Sequence, residues 1–585
     1  TLVLRTRWGG PWRRFTSPVR LITAHDVDQV RAALTAVDRE VAQGGYAAGF
    51  VAYEAAAAFD LPCRESSGGL PLVCFGIFPP ANVESLTRLP RGGEARLGHW
   101  TPSVDRAGYL EAVRRIKTRI EAGDTYQINY TFRLSADFAG DPRTLMRDLH
   151  AAQGGEWNAY LETPAYAICS ASPELFFALD GRRIECRPMK GTAPRGFWPD
   201  QDLFRAEALR TSEKNRAENV MIVDMVRNDV GRVATVGSVR AFPMFEVERY
   251  PLQWQMTSTV SGDVPSRSIV RIFDAMFPSG SVTGAPKHSA MSIIRELETT
   301  PRGAYTGAIG YVSPHGRSHF NVAIRTVVAD LERHVAEFGV GSGVVWDSVD
   351  RDEYEECLVK AQMLRPSSPH RKHVPSYVVD DPPRFRLLET LLWMPGSGFA
   401  LLDRHIDRLS ASAACFGFSF DAEEVRSMLA NAVEDLAGPA RVRIQLEADG
   451  DLLCEAVDLV PLPSPMTVTL AREPVDRFDL FLYHKTTKRD VYDRARAHRP
   501  EAHAVILWNE DGEITEATDF NVVVDLDGRR VTPPIACGVL PGTFRAQLLE
   551  TGEIVEGVVS KEDLLRARRI QLINSVRGTV DVRLI

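Results

Sequence analysis

The chain has 585 residues, of which 44% are hydrophobic and 25% are charged, with a formal net charge of −8. This balance is typical of a soluble globular protein of several domains, and it gives no electrostatic reason to expect nucleic acid or an anionic membrane as a partner. No apolar run is long enough for a transmembrane helix. The eight cysteines lack the spacing of a disulfide framework or a zinc site, so we expect a cytoplasmic protein.

Hydrophobic periodicity predicts a mixed α/β chain. The first 365 residues combine strands and helices of ordinary length, and several strands alternate between apolar and polar residues. In chain order we predict a strand at 46–53, a helix at 109–122, a strand at 126–134, a helix at 200–228, strands at 307–311 and 320–328, and a helix at 351–364.

A change of composition divides the chain near residue 366. Residues 366–383 are rich in proline, serine and charged side chains, which is typical of an interdomain linker. The remaining residues suit one further domain by length. We therefore predict a first domain at 1–365, a linker at 366–383 and a second domain at 384–585.

A lysine in a short glycine-containing stretch is the most informative feature of the first domain. Lys190 lies in Cys186-Arg187-Pro188-Met189-Lys190-Gly191-Thr192, where we predict a turn after a strand-like run at 175–179 and 183–185. A lysine that loses hydration is protonated less readily and can act as a nucleophile. The ordinary alternative is a surface lysine, which the residues alone favour.

Acidic residues occur at helical spacing in two places. Glu218 lies on one predicted helix, and Glu353 and Glu356 share one face of another, with Lys360 one turn further along. Carboxylates from two helices could hold Mg²⁺, which prefers oxygen ligands. The alternative is that Glu353, Glu355 and Glu356 form a solvated face, and the helix pattern alone favours it.

Ordered sequence stretches show a family resemblance across residues 105–365. The matching stretches are residues 123–129, 171–175, 216–224, 277–287, 320–326, 339–343 and 353–356 with Lys360. Together they resemble the chorismate-utilising enzymes, which include anthranilate synthase component I, aminodeoxychorismate synthase component I, isochorismate synthase and salicylate synthase. The resemblance implies an α/β (α+β) fold whose core is an antiparallel β-sandwich with flanking helices.

The same resemblance implies a role for each matched residue. Glu218, Glu353 and Glu356 would surround Mg²⁺, and the metal would hold the ring carboxylate of chorismate. Glu174 would be the general acid that assists departure of the 4-hydroxyl. The residues that the resemblance places at the substrate are Gln127, Gly191, Thr192, Thr283, Tyr305, Arg325, Gly341 and Lys360.

Two positions distinguish the members of this family. Isochorismate and salicylate synthases have a lysine base where Gln127 stands, and an amide cannot deprotonate water, so a hydroxylated product is not expected. Anthranilate synthases have alanine where Lys190 stands, whereas aminodeoxychorismate synthases have lysine in a similar turn. The resemblance therefore favours Lys190 as a nucleophile that attacks C2 of chorismate before ammonia enters at C4.

Ammonia needs a source. The chain has no Gly-x-Cys-x-Gly motif of a glutaminase nucleophile. A separate glutamine amidotransferase subunit is therefore the expected partner, unless free ammonia suffices.

The second domain has a phosphate-binding pattern and a candidate lysine. Residues 538–544 predict a turn that opens a helix, whose free N–H groups can bind phosphate. With Lys485, Glu516 and Arg408, this pattern resembles the fold-type IV pyridoxal-phosphate enzymes over residues 385–585. The resemblance implies that Lys485 holds pyridoxal phosphate covalently, with Lys488 as a weaker candidate, and that Glu516 pairs with the pyridine nitrogen. The residues implied at the phosphate are Arg408, Thr543, Phe544 and Ser575.

The two resemblances together imply a bifunctional enzyme. The first domain would make 4-amino-4-deoxychorismate, and the second would eliminate pyruvate from it to give 4-aminobenzoate for folate synthesis. The front of the second domain is short, since only Leu388-Glu389-Thr390 remains of the segment that its relatives begin with. The alternative is anthranilate synthase component I with a C-terminal aminotransferase or a non-catalytic dimerisation domain. A homodimer through the second domain is an open expectation.

Overall fold

The chain forms two compact units. The computed structural model describes residues 1–5, 11–66, 69–90, 92–250, 253–364 and 385–585. One unit comprises the described parts of 1–195 and 205–366, and the other those of 196–204 and 367–585. The predicted linker at 366–383 lies outside the described residues, so the domain boundaries stay a prediction. None of the described helices is both long and apolar enough to cross a membrane.

The described strands of the first unit pair antiparallel with one another. They are β1 (Leu2–Arg5), β2 (Trp12–Phe15), β3 (Arg20–Ala24), β4 (Tyr46–Val51), β5 (Val73–Phe78), β6 (Val83–Leu86), β7 (Ala95–Leu97), β8 (Thr101–Pro102), β9 (Gln127–Gly140), β10 (Trp157–Glu162), β11 (Tyr166–Ser172), β12 (Leu175–Asp180), β13 (Arg183–Arg187), β14 (Met189–Pro194), β15 (Arg240–Ala241), β16 (Glu246–Arg249), β17 (Gln253–Thr257), β18 (Val260–Asp263), β19 (Gly284–Ala285), β20 (Ala308–Val312), β21 (Arg317–Val322), β22 (Thr326–Asp330) and β23 (Val335–Val344).

Two large sheets organise these strands. In the described residues, an 11-stranded sheet runs β19-β9-β23-β22-β11-β10-β1-β2-β6, with β7 and β8 paired to β9. A 9-stranded sheet runs β15-β18-β13-β12-β21-β20-β4-β5-β3, and β14-β17-β16 form a small third sheet. Leu4 of β1 and Ile168 of β11 share one core cluster with Phe50 of β4 and Tyr311 of β20, so the two large sheets pack face to face.

Helices cover the outer faces of the sandwich. Their apolar sides form one core cluster on each sheet, and the predicted β-sandwich with flanking helices is therefore confirmed. These helices are α1 (Val30–Ala42), α2 (Arg106–Glu121), α3 (Pro142–Gln153), α5 (Glu213–Gly231), α6 (Ile269–Met276), α7 (Lys287–Leu297) and α8 (Asp350–Ala361). A further helix, α4 (Pro199–Thr211), contributes no residue to either cluster.

Two predicted elements are interrupted. The single helix predicted at 200–228 is α4 followed by α5, because Ser212 leaves the helical conformation (φ −63°, ψ 112°) and its hydroxyl accepts a hydrogen bond from the Asn215 N–H. The strand predicted at 320–328 is β21 followed by β22. Arg325 separates them at φ 54°, in the left-handed region.

The second unit contains a small sheet and a larger one. In its described residues, a 4-stranded sheet runs β25-β24-β26-β27, and an 8-stranded sheet runs β30-β29-β28-β35-β34-β31-β32-β33. The strands are β24 (Leu387–Met394), β25 (Gly398–Phe399), β26 (Ala440–Leu446), β27 (Leu452–Asp458), β28 (Met466–Leu470), β29 (Ala504–Trp508), β30 (Ile514–Ala517), β31 (Phe520–Leu526), β32 (Arg529–Thr532), β33 (Val555–Glu556), β34 (Arg569–Asn574) and β35 (Gly578–Leu584). The helices are α9 (Leu402–Phe416), α10 (Ala422–Asn431), α11 (Asp490–His498), α12 (Thr543–Glu550) and α13 (Lys561–Arg566).

Candidate active sites

Lys190 lies where three elements of the first unit meet. It is the second residue of β14 rather than part of a turn, and its Nζ is 3.8 Å from Oε2 of Glu218 on α5. A Cβ atom at Gly343 of β23 would lie 2.9 Å from both Lys190 Nζ and Gln127 Nε2. A larger residue at position 343 would therefore displace the ends of these two side chains, and glycine leaves them room to approach each other.

Two buried amides fix the backbone of the Lys190 segment. Asn219 Nδ2 donates to the Lys190 carbonyl at 3.2 Å, and Gln255 Nε2 donates to the Gly191 carbonyl at 2.8 Å. Asn219 in turn accepts a 2.6 Å hydrogen bond from the Ser258 hydroxyl, and Gln255 accepts one of 3.0 Å from Thr192. The hydroxyl of Thr192 is thus engaged with Gln255.

Glu174 has the environment of a general acid. It precedes β12, its side chain is buried, and Ser281 Oγ donates to its Oε1 at 2.6 Å. Burial raises the pKa of Glu174 to about 7, against the hydrogen bond from Ser281 and the nearby charge of Lys190, which both lower it. Such a carboxyl is partly protonated at neutral pH and can give a proton to a leaving group.

The loop that carries Ser281 is tied to β9. The carbonyl of Thr283 accepts a 2.8 Å hydrogen bond from the Asn129 N–H, while its hydroxyl donates to the Ser279 carbonyl at 3.1 Å. Arg302 donates to the carbonyls of Val282 and Asn129 at 2.7 and 2.8 Å. Thr283 therefore shapes the loop through both its backbone and its side chain.

A second cluster contains four of the residues predicted at the substrate. Arg325 Nη1 donates to the Lys360 carbonyl at 2.7 Å, and Lys360 Nζ donates to the Gly341 carbonyl at 2.9 Å. Burial lowers the pKa of Arg325 to about 10, although the neighbouring Tyr305 and Glu356 oppose this change. Two cations beside a tyrosine hydroxyl can bind a carboxylate.

The three carboxylates predicted at Mg²⁺ do not form one group. Glu218 faces Lys190, whereas Glu356 forms a 2.5 Å ion pair with Lys360, and Glu353 lies one turn earlier on α8. No three His, Cys, Asp or Glu side chains among the described residues are grouped closely enough to hold a metal ion. Carboxylate oxygens suit Mg²⁺, so the residue types fit and the metal site stays a prediction.

In the second unit, Lys485 has an ammonium group without a partner. Its side chain is half-buried, and its Nζ makes no hydrogen bond or ion pair within the part of the chain that the structure describes. Burial and the nearby charge of Arg408 lower the pKa of Lys485 to about 8. Lys488, in contrast, is exposed and lies 4.4 Å from the centre of the Phe481 ring. Lys485 is therefore the better candidate for covalent binding of a cofactor.

Glu516 is a buried carboxyl that three donors hold. The Tyr492 hydroxyl donates to Oε1 at 2.6 Å, and Asn521 Nδ2 and the Leu540 N–H each reach Oε2 at 3.3 Å. Burial raises the pKa of Glu516 to about 7, while the hydrogen bonds and the Lys485 charge lower it. The carboxyl is thereby fixed in one orientation, as a partner of a pyridine nitrogen must be.

Arg408 is oriented by Glu389. Its Nε and Nη2 donate to the two carboxylate oxygens of Glu389 at 2.8 and 2.7 Å, and its Nη1 donates to the Pro541 carbonyl at 3.0 Å. Burial alone would raise the pKa of Glu389, but Arg408 and His405 lower it to about 2. Glu389, which the sequence indicated only as a remnant of a motif, thus holds the predicted phosphate ligand.

The remaining phosphate candidates lie at a helix start and in a turn. Thr543 and Phe544 are the first residues of α12, and the hydroxyl of Thr543 lies 3.2 Å from His405 Nε2. Ser575 Oγ is 3.5 Å from the Thr390 carbonyl. An unpaired lysine, a fixed carboxyl, an oriented arginine and a helix N-terminus fit pyridoxal phosphate in donor type and charge.

The sequence did not indicate the residues that hydrogen-bond to the predicted site residues and fix their positions. Ser281, Asn219, Gln255, Tyr492 and Asn521 each contact a candidate site residue. Ser281 and Asn219 lie inside the stretches that carried the family resemblance, and this is the one signal that could have indicated them. Asn521 follows the matched Glu516 by five residues, and nothing local marks Gln255 or Tyr492.

Two family models match the chain. Residues 79–366 match the model of the chorismate binding enzyme, and residues 386–585 match that of amino-transferase class IV. Two separate parts of the chain are thus similar to two different families of enzymes.

Individual relatives support the first of these assignments. The chain is 44% identical over 262 residues to aminodeoxychorismate synthase of Streptomyces griseus, covering 44% of this chain and 36% of that protein. It is 40% identical over 266 residues to aminodeoxychorismate synthase component 1 of Klebsiella aerogenes, covering 45% of this chain and 58% of that protein. The match thus spans less than two thirds of the length of either relative.

A solved structure resembles the fold of the first unit. It is anthranilate synthase component I from Streptococcus pneumoniae, with a TM-score of 0.53 and 25% sequence identity over 60% of this chain and 92% of that one.

Proposed function

We propose that this chain makes 4-aminobenzoate in two steps. The first unit converts chorismate and ammonia into 4-amino-4-deoxychorismate, a reaction of the transaminase class. The second unit eliminates pyruvate from that product. The observation that carries the proposal is Lys190 beside Gln127 and Glu218, in a chain whose relatives are named aminodeoxychorismate synthase.

Each candidate site residue of the first unit has its own role in the proposed reaction. Lys190 Nζ attacks C2 of chorismate while Glu174 gives its proton to the departing 4-hydroxyl, so that one group forms a bond as another leaves. Arg325, Tyr305 and Lys360 bind the enolpyruvyl carboxylate. Ammonia then adds at C4, and the lysine leaves with its bonding electrons. Mg²⁺ held by Glu218, Glu353 and Glu356 would bind the ring carboxylate and withdraw charge from the ring.

The residues of the second unit are suited to bind and orient a cofactor. Pyridoxal phosphate supplies an electron sink when it is bound. Lys485 holds it and moves the proton at C4 of the substrate, while Glu516 keeps a proton at the ring nitrogen. Arg408 and the start of α12 bind the phosphate group, and Ser575 lies in the neighbouring turn.

We propose a partner subunit and a cellular location as well. The relative called component 1 suggests that a second component, a glutamine amidotransferase, supplies ammonia here as well. All eight cysteines lie within the described residues and are free thiols, which suits the reducing cytoplasm. A homodimer through the second unit remains an expectation.

Anthranilate synthase is the second candidate, since the solved structure with that name resembles the first unit. The lysine at position 190 argues against it, because anthranilate synthases have alanine at the matching position. The two candidates release different products from the same substrates.

Product analysis tests the proposal. The purified chain loaded with pyridoxal phosphate is given chorismate, ammonium and Mg²⁺, and the products are separated by chromatography. We expect 4-aminobenzoate and an equal amount of pyruvate. Anthranilate as the aromatic product, or no consumption of chorismate, would contradict the proposal.

A further inference from the structure

A buried tyrosine hydroxyl connects a helix of the first unit to a strand of its larger sheet. The hydroxyl of Tyr109 on α2 lies 2.7 Å from Ser342 Oγ on β23 and 3.5 Å from Cys357 Sγ on α8. All three residues are fully buried. A tyrosine hydroxyl can donate one hydrogen bond and accept another, so it can bond to both partners at once.

Aromatic packing holds the Tyr109 ring in this position. Its centre is 5.3 Å from the ring centres of Tyr130 and Tyr354 and 5.6 Å from that of Phe132. Tyr354 and Cys357 are three residues apart on α8 and share one face of the helix. That face therefore packs on Tyr109. Apolar packing has no preferred direction, and the hydroxyl adds bonds that do.

The two partners of the hydroxyl are close in the chain to residues proposed to bind substrate. Ser342 follows Gly341, whose carbonyl accepts a 2.9 Å hydrogen bond from Lys360 Nζ. Cys357 lies three residues before Lys360 on α8, within one helical turn. The Tyr109 hydroxyl thus connects the strand that has the acceptor to the helix that has the donor.

Lys360 retains one donor for a substrate. An ammonium group has three N–H donors. Within the part of the chain that the structure describes, two of them are engaged, by the Gly341 carbonyl and by Glu356 Oε1 at 2.5 Å. One of these bonds is made to β23 and the other within α8. The direction of the third N–H therefore depends on where α8 lies relative to β23.

Of these two elements, α8 is the one that a lost connection would release. The strand β23 pairs with β9 over all of its residues, Val335–Val344. The helix has no such ladder of hydrogen bonds to the sheet, because the backbone groups of a helix bond within the helix. Its position on the sheet depends on side chains, and the Tyr109 hydroxyl is one of them.

We infer that Tyr109 is a positioning residue of the first unit: its hydroxyl holds α8 on β23, so that the remaining N–H of Lys360 meets the enolpyruvyl carboxylate. The inference rests on the proposed function and deepens it. Tyr109 is buried and acts through Lys360 rather than on the substrate itself. Loss of the hydroxyl should therefore weaken the binding of one substrate carboxylate and leave the reacting groups Lys190 and Glu174 unchanged.

Steady-state kinetics provide the first test. In the full chain, Tyr109→Phe keeps the ring and should raise KM for chorismate about fivefold while kcat changes by less than about twofold, because the lost bonds orient a binding group. Ser342→Ala should have the same effect, and the double variant should be no worse than either, since both changes remove one connection.

Tyr53→Phe is the matched control for these variants. It deletes a buried hydroxyl that has no hydrogen-bond partner among the described residues, and it should change neither constant. An unchanged KM in both Tyr109→Phe and Ser342→Ala would overturn the inference.

Binding of unreactive probes provides a second test that needs no turnover. The compound 3-(carboxymethoxy)benzoate has a ring carboxylate and an ether-linked one, as chorismate does, whereas benzoate has only the first. In equilibrium dialysis with Mg²⁺, Tyr109→Phe should weaken binding of the dicarboxylate about fivefold and leave benzoate binding unchanged. Equal weakening of both probes would indicate a merely structural role and overturn the inference.

A lysine variant tests whether the hydroxyl acts through Lys360. In a Lys360→Met background, Tyr109→Phe should weaken binding of the dicarboxylate no further. A further fivefold loss there would overturn the inference. A wild-type chain that shows the predicted probe binding but does not consume chorismate would contradict the proposed function and support the positioning role of Tyr109.

Discussion

The hydroxyl of Ser281 lies 2.6 Å from Oε1 of Glu174, and it is the hydrogen-bond donor to this buried carboxyl. The bond stabilises the ionised form and so opposes the effect of burial, which raises the pKa of Glu174 to about 7. Ser281 therefore influences both the orientation of the proposed general acid and the pH at which it carries its proton.

Ser281→Ala should move the pH profile of the synthase step to higher pH. A general acid works in its protonated form, so activity falls as pH rises through the pKa of about 7. Removing a bond that favours the ionised form raises that pKa further and shifts the falling limb upward. Chorismate consumption from pH 5 to 9 measures this, with Ser289→Ala as the control because its hydroxyl contacts the Asp124 carbonyl instead. An unshifted limb would show that Glu174 is not the titrating acid.

Lys190→Ala should slow formation of 4-amino-4-deoxychorismate on the order of 100-fold, a barrier increase of about 3 kcal/mol. Ammonia would then have to attack directly, without the bond to the lysine that divides the reaction into two steps. The direct observation is a mass increase on the peptide containing Lys190 after trapping with chorismate. Lys214→Ala, at an exposed position on α5, is the control. A wild-type rate in Lys190→Ala would mean that the lysine is structural.

Removal of Mg²⁺ with EDTA should stop the synthase step, and Glu356→Ala should do the same. Without a cation, the carboxylates of the site repel the substrate carboxylate instead of binding it. Glu355→Ala, which alters the exposed neighbour on the same helix, should retain activity. Undiminished chorismate consumption in EDTA would contradict the metal assignment.

Tyr492→Phe should change the visible absorption of bound pyridoxal phosphate and its dependence on pH. The hydroxyl lowers the pKa of Glu516, so its loss leaves that carboxyl more often protonated and less able to hold a proton on the ring nitrogen. We expect kcat of the lyase step to fall about tenfold, as for loss of one hydrogen bond to a charged group. Tyr483→Phe loses a 2.6 Å bond to the Arg477 carbonyl and serves as the control. Identical spectra for Tyr492→Phe and the wild type would exclude this role.

Sequence motifs indicated the residues proposed to react or to bind substrate and cofactor. They did not indicate the residues that hydrogen-bond to these and hold them in place. Glu174, Lys485 and Arg408 were indicated by matched residues, and Lys190 by the short run at 186–192 and by the position that distinguishes the family members, because reactive side chains stand within short recognisable runs. The residues that hydrogen-bond to the site come from remote segments of the chain. Ser281 is 107 residues from Glu174, and Gln255 is 64 residues from Gly191. Such pairs depend on which strands become neighbours, and local periodicity contains no information about that.

The errors in the predicted elements have the same origin. The hydrophobic pattern continues across Ser212 and Arg325, so periodicity alone predicts an unbroken helix and an unbroken strand. A side-chain cap ends one element and a left-handed residue ends the other. The metal site of Glu218, Glu353 and Glu356 is not one of these errors and stays a prediction. Spacing along a helix could not show the ion pairs that Glu218 forms with Lys190 and Glu356 with Lys360.

The central claim is that two reactions follow each other on one chain, and Lys485→Ala tests it most directly. With chorismate, ammonium and Mg²⁺, the variant should consume chorismate at the wild-type rate and accumulate 4-amino-4-deoxychorismate. The release of 4-aminobenzoate and pyruvate should fall to background, and added independent lyase should restore it. Unchanged 4-aminobenzoate formation by Lys485→Ala would contradict the account, as would a wild-type chain that releases no pyruvate from the intermediate.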